Sequence, residues 1–273
     1  MWRGATTGSE DGFRMVNESG WLSGLLNMLR LEHSRWWDTR LWVVQSAIWL
    51  ALLNGLHALI LYVETLERGN VVVNGAPFDS VSTFFMLMSV MAPIGVMILM
   101  QGSVVREKQS GTAEWVLSAP LSREAFIVSK LVANFLWILA VLVLMQGVAF
   151  ELVLMAFGAE VVPVLNLLGG LALQGLHLLF WVTLSLMLGA FFDGRGPVVG
   201  IPLVLLTFQD LIGALAAKYV PWITLLFPKR IPELAAQVAA GEPVYSWIPL
   251  MAVTAWMILF TLAAIWRFRR EEF

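Results

Sequence analysis

Residues 164–192 read VLNLLGGLALQGLHLLFWVTLSLMLGAFF, twenty-nine positions without an Asp, Glu, Lys or Arg. Wound as a helix at about 1.5 Å per residue, that run is longer than the ~30 Å hydrocarbon core of a bilayer. It has no charged face, which a surface helix of a soluble bundle would need. Five more blocks of this kind flank it, at roughly 41–62, 81–100, 130–157, 198–215 and 248–266. The third and fourth spans exceed a straight crossing and are expected to tilt or project. Composition agrees: 59% of the 273 residues are hydrophobic and 13% charged, against about 25% charged in a soluble domain. The chain has no cysteine, which removes disulfides, thiolate metal sites and cysteine nucleophiles. The expected fold is all-α, a polytopic membrane protein with six transmembrane helices.

Charge gives the orientation. Arg3, Arg14, Arg30, Arg35 and Arg40 precede span one, and Arg106, Lys108, Arg123 and Lys130 lie between spans two and three. Arg195 sits in the turn between spans four and five, and Arg267, Arg269 and Arg270 follow span six. Six crossings put these thirteen cations on one side, leaving Arg68, Lys218, Lys229 and Arg230 on the other. Cations are retained inside, so both termini are expected in the cytoplasm of a bacterial or archaeal cell, the chain lying in its cytoplasmic (inner) membrane. Residues 1–19 are polar, lack a basic-then-apolar signal sequence, and read as a mobile cytoplasmic tail. A single transmembrane domain, 20–273, follows. It opens with an interfacial helix over 20–38, where Trp21, Leu22, Leu25, Leu26 and Leu29 recur at helical spacing ahead of Arg35, Trp36, Trp37 and Arg40; such aromatic–cationic mixtures favour the membrane surface. Between spans five and six, residues 216–246 carry Pro221, Pro228, Pro232 and Pro243 among Trp222, Ile223, Leu225, Leu226 and Phe227. Prolines remove backbone donors, so this outer loop is expected as a pair of short helices packed on protein, not as a span.

The segment 101–129 is the longest polar-rich connection on the basic side, and residues 106–124 within it read REKQSGTAEWVLSAPLSRE. Gly111 permits a sharp turn, Glu114–Leu117 can form a short helix, and Pro120 ends it. Ser122 can then cap a new helix with Glu124 in its first turn, facing the positive end of the dipole. Trp115, Leu117 and Leu121 are left to dock on a partner. The run Glu107, Gly111-Thr112, Glu114, Leu117-Ser118, Pro120-Leu121-Ser122-Arg123 and finally Lys130 resembles the first intracellular loop of ABC-2-type transporter permeases. The likeness extends, in hydropathy alone, to the six-span plan, the surface helix and the broken outer loop. The resemblance implies that Glu107, Gly111, Thr112, Glu114, Leu117, Pro120, Leu121, Ser122 and Arg123 form a coupling element seated on a cytoplasmic ABC ATPase. It implies two permease chains, as a homo- or heterodimer, exporting an amphipathic or lipophilic substrate. The chain has no Gly-x-x-x-x-Gly-Lys-Ser/Thr loop, so ATP and Mg are expected on the partner ATPase and no cofactor on this chain.

Ionisable groups within spans are functional candidates by default. Asp210, in span five, and Glu151, toward the outer end of span three, are the pathway candidates. His57 and His177 stand on spans one and four; interhelical or interfacial hydrogen bonding is their expected role. Axial haem ligation is the alternative, although a two-haem bundle needs more histidines than His33 would supply. No metal ligand set and no His-Glu-x-x-His pattern is present. The cations follow the topology and do not cluster on one face, which argues against nucleic acid. Three other readings stay open. The chain could be an ABC-2-like subunit serving cofactor assembly or mechanical coupling, a haem- or quinone-binding respiratory subunit, or a secondary carrier.

Overall fold

The computed structural model describes residues 20–68, 77–110 and 121–271, all in helices, turns and short connections with no strand among them. Six helices are long and apolar enough to cross a membrane: Leu41–Leu66, Ser80–Gln109, Arg123–Ala156, Val164–Phe191, Arg195–Ala217 and Ile248–Arg269. These are spans one to six, and by length and composition the chain is a multi-pass membrane protein. Residues 1–19, read above as a tail, lie outside the described residues, as do residues 111–120 of the polar connection.

An N-terminal helix, Leu25–Asp38, precedes span one. It does not lie free: Trp21 and Ser23 meet Ser122, Glu32 meets Lys130, and Trp36 meets Asn134. Contacts that advance together along both chains mean that the helix runs beside the first half of span three, in the same direction. Its buried face is a stripe at four-residue spacing, Met28, Glu32 and Trp36, and Trp36 and Trp137 stack at 5.7 Å. Arg40, in the left-handed region at φ 52°, turns the chain from this helix into span one. A non-glycine residue there is held against a small intrinsic strain.

Spans one and three each widen into one π-helical turn, Leu50–Asn54 and Ala140–Leu144. The first turn packs against Met145–Ala156 of span three and the second against Leu41–Trp49 of span one, and polar side chains take up what the widening frees. Gln146 donates from Nε2 to the Val141 carbonyl five residues back at 3.0 Å. Its Oε1 accepts from Asn54 Nδ2 at 2.7 Å, tying the spans together. Such bulges persist where the displaced backbone groups find partners.

Span four is the axis of the bundle. It packs against spans two, three, five and six and against the 216–246 segment, labelled outer for the side the sequence leads one to expect, and 78% of its apolar stretch is buried, compared with 28% for span five and 22% for span six. The peripheral spans therefore present apolar surface to lipid or to another chain. Beyond span five the proline-rich stretch forms a 3-10 turn, Pro221–Leu226, and an outer helix, Arg230–Ala240, the pair of short helices the sequence called for. Gly241, at φ 74°, closes the outer helix in the left-handed conformation, with Glu242 N donating to Gln237 O at 2.8 Å, the wrap that satisfies orphan carbonyls at a helix end. The outer helix lies so close on span four that Gly170 touches it through backbone alone: a Cβ there would stand 2.7 Å from Ala235 O.

Candidate functional site

Polar groups otherwise scarce in this chain converge at one end of the bundle, around the two stems of the 111–120 connection. Span two ends in the helical turn Val105–Gln109, and span three begins after Ser122, whose Oγ accepts from Ala125 N at 3.1 Å while Glu124 occupies the first turn. That is the capped start read from the sequence. Ser122 also reaches back to the N-terminal segment, donating from its amide to Ser23 O at 3.1 Å and from its hydroxyl to Trp21 O.

Lys130 is the centre. Its side chain is fully buried, and Nζ lies 2.6 Å from Glu32 on the N-terminal helix and 2.5 Å from Glu107 at the end of span two. One ammonium thus joins three elements that are far apart in sequence. Asn134, one turn on, donates to Lys130 O at 2.8 Å and accepts from Trp36 Nε1 at 3.2 Å. A buried charge survives only when paired and hydrogen-bonded, and here both carboxylates are committed to the same cation.

A second set of contacts ties the stems to the C-terminal end. Arg123 donates from Nη1 to the carbonyls of Arg269 at 2.6 Å and Glu271 at 2.7 Å, placing a cation on the negative end of span six. Phe126 stacks on Phe268 at 4.8 Å, and Arg269 pairs with Glu124. Lys108 bridges Asp193, in the turn between spans four and five, at 2.6 Å and Glu271 at 3.0 Å. Gln109 donates to Asp193 O at 2.7 Å. The two stems are thereby linked to the N-terminal helix, to the span four–five turn and to the end of span six.

The ammonium of Lys108, hydrogen-bonded to Asp193 and acting on it through space, holds that carboxyl below the usual aspartate range. A depressed folded-state value means that the link contributes fully above the unfolded value, about 3.9, and is lost as pH falls through the lower folded one. Asp193→Asn should therefore lower the melting temperature at neutral pH, and the gap to wild type should close as pH drops below the ordinary aspartate range. The side chain of Asp193 is 81% exposed, so the effect is small. A gap that persists unchanged below pH 3 would contradict this assignment.

Of the residues expected in the coupling element, Glu107, Leu121, Ser122 and Arg123 are in this network or beside it. Gly111, Thr112, Glu114, Leu117 and Pro120 lie outside the described residues. The pathway candidates are elsewhere and no hydrogen bond or ion pair joins them. Asp210 pairs with Lys229 of the outer segment at 2.6 Å, in a cleft of about 180 Å³ that Gln209 and Thr224 also line. Glu151 accepts from the Val162 amide at 3.3 Å through both oxygens, fastening the loop that follows span three.

The histidines differ from expectation. His57 is fully buried against Phe84 and Phe150, at 6.1 and 5.2 Å, and its nitrogens have no hydrogen-bond partner among the described residues. His177 is bonded within its own helix, where Trp181 donates to Nε2 at 3.0 Å and Gln174 approaches Nδ1 at 3.4 Å. Neighbours at i−3 and i+4 of its own helix satisfy the His177 ring, whereas His57 is held by aromatic packing against Phe84 of span two and Phe150 of span three. No cluster of three or more metal-ligating side chains occurs among the described residues.

Sequence reading missed Glu32, Lys108, Asp193, Asn134 and Glu271. One signal was present for Glu32. It stands midway between Met28 and Trp36 at four-residue spacing, and a carboxylate inside a buried stripe calls for a buried cation.

No curated protein matches the chain. Residues 59–273, from the second half of span one to the C-terminus, match the model of a family described as "Protein of unknown function (DUF2705)". With well over half of its length so matched, the chain belongs to the DUF2705 family.

Proposed function

We propose that this chain is the permease subunit of an ATP-driven exporter of the ABC-2 type, coupled through residues 107–123 to separate cytoplasmic ATPase chains that carry the ATP and Mg. The observation that supports this most is the convergence of both stems of the 111–120 connection on the Lys130 and Lys108 networks. A connection that only had to join two spans would need no buried lysine between carboxylates of two other elements. A connection that passes on a push needs stiff links to whatever must move, and these networks reach the N-terminal helix, the span four–five turn and span six. Under this reading both termini face the cytoplasm of a bacterial or archaeal cell. A second permease chain, identical or related, completes the route across the membrane. The substrate is amphipathic or lipophilic, because the charged groups described within the spans are few and the buried ammonium of Lys130 is already committed to Glu32 and Glu107.

Replacing residues 120–123 by a flexible linker would be a poor test, because Ser122 and Arg123 also cap spans three and six. Glu114→Lys avoids this. In a complex purified through a tag on this chain, Glu114→Lys is expected to reduce the bound ATPase at least tenfold. That corresponds to about 1.4 kcal/mol, within the penalty for juxtaposing like charges across an interface. The melting temperature of the chain itself should not change. Undiminished ATPase retention together with undiminished substrate-stimulated turnover would remove the coupling assignment.

A further inference from the structure

An open groove of about 400 Å³ runs between the N-terminal helix and the first half of span three, more than twice the ~150 Å³ cavity that takes up benzene. Leu26 and Leu29 form one wall, and Val132, Ala133 and Leu136 the other. Leu26 is 67% and Leu136 58% exposed, so the walls are apolar surface that nothing in this chain's described residues covers. They stand beside the first apolar turns of span three.

Arg30 lines the same trough. It is exposed and makes no ion pair or hydrogen bond among the described residues. The lining contains no carboxylate, and the nearby Glu32 is turned to the buried face, where it is held by Lys130. His33, stacked on Trp137 at 5.3 Å, and Ser34 complete the polar margin. An apolar trough with one unpaired guanidinium in its lining is complementary to a molecule with a hydrocarbon tail and an anionic head. A choline or ethanolamine group would bring a second cation beside Arg30 and find no carboxylate to meet it.

We propose that this groove seats one anionic phospholipid, its phosphate on Arg30 and an acyl chain along Leu29, Val132 and Leu136. The lipid fills the gap between two helices that are otherwise joined by the Glu32–Lys130 and Trp36–Asn134 contacts. The proposal requires only that the chain spans a membrane, so it stands or falls separately from the export reading.

Because the chain has no cysteine, a single introduced one can carry a unique label. Val132→Cys places a bimane in the groove, and Leu262→Cys places it on span six, at a position 59% exposed. Both labelled chains are reconstituted into vesicles with rising fractions of brominated-acyl phosphatidylglycerol or brominated-acyl phosphatidylcholine. At position 132, phosphatidylglycerol should reach half-maximal quenching at about one fifth of the mole fraction that phosphatidylcholine needs, the preference one surface arginine confers. At position 262 the two lipids should quench alike. Arg30→Ala should abolish the preference at 132 and leave 262 unchanged. Equal quenching by both lipids at 132, or a preference that survives Arg30→Ala, would overturn the assignment. Absence of quenching by either lipid at 132 would give the groove to protein, from a second copy or another part of the chain, and would equally overturn it.

Discussion

Lys130→Ala is expected to destabilise the folded chain by about 3–5 kcal/mol, the range for breaking a buried ion pair from one side. The variant leaves Glu32, 3% exposed, and Glu107, 18% exposed, without the cation that both carboxylates share. Each carboxylate already has one oxygen, Oε2, with no hydrogen-bond partner; Arg35 stands 3.9 Å from that oxygen of Glu32, beyond hydrogen-bond reach, and is a weak substitute for the ammonium. Loss of the lysine also removes its contact over the Phe126 ring, 4.8 Å from the centroid. The cost should come from stranded charge and not from lost volume, and a second variant separates the two. Converting the triad together, as Glu32→Leu, Lys130→Met and Glu107→Leu, should return stability to wild type or above, since apolar replacements of buried ion networks are often neutral or stabilising by about 1–4 kcal/mol. Unfolding midpoints in a single detergent measure both. A single-variant loss under about 1 kcal/mol, or a triple variant as unstable as the single one, would contradict the account of the site.

The second large effect is expected at the opposite end of the bundle, at Gly170. A Cβ there would stand 2.7 Å from Ala235 O and 2.9 Å from Ala239 Cβ on the outer helix, and 2.8 Å from Phe85 Cζ on span two. One of these neighbours is a backbone carbonyl, so a rotamer change cannot relieve the clash and the outer helix must move. Gly170→Ala should cost about 1–3 kcal/mol by overpacking, outweighing the ~1 kcal/mol that alanine gains over glycine inside a helix. Gly55→Ala is the control, since no atom lies within 4 Å of its Cβ position; it should be neutral or slightly stabilising. Comparable melting temperatures for the two variants would mean that the outer helix is not seated as described.

How far the sequence could be read depended on what each boundary is made of. Span four was expected over 164–192 and runs Val164–Phe191, because Pro163 and the charged turn at Asp193 bound an uninterrupted apolar run. Span three was expected from residue 130 but starts at Arg123. Hydropathy marks where a helix turns apolar, whereas the Ser122 cap marks where it begins; of the seven residues between, Arg123 and Glu124 belong to the polar network and Ala125, Phe126 and Ile127 are buried. The N-terminal helix starts at Leu25 and not at residue 20, since Gly24, at φ 77°, interrupts the backbone just before it. The π-turns left no trace, because neither Leu50–Asn54 nor Ala140–Leu144 contains the Gly or Pro that would signal an irregularity. The site was legible as a stretch and not as a network. Ser122 and Glu124 act locally and could be read from spacing, whereas Glu32 and Lys130 are 98 positions apart and only the fold brings them together.

The central claim, that this chain works as the permease of a complex powered by a separate ATPase, is tested most directly by identifying what accompanies it. The chain should be tagged at its native expression level, extracted in mild detergent, and its stoichiometric partners determined by mass spectrometry. The account predicts a nucleotide-binding ATPase chain in equal number to the permease, whose hydrolysis is lost when the two are separated. A chain that purifies alone, or only with haem- or redox-active subunits, would contradict it.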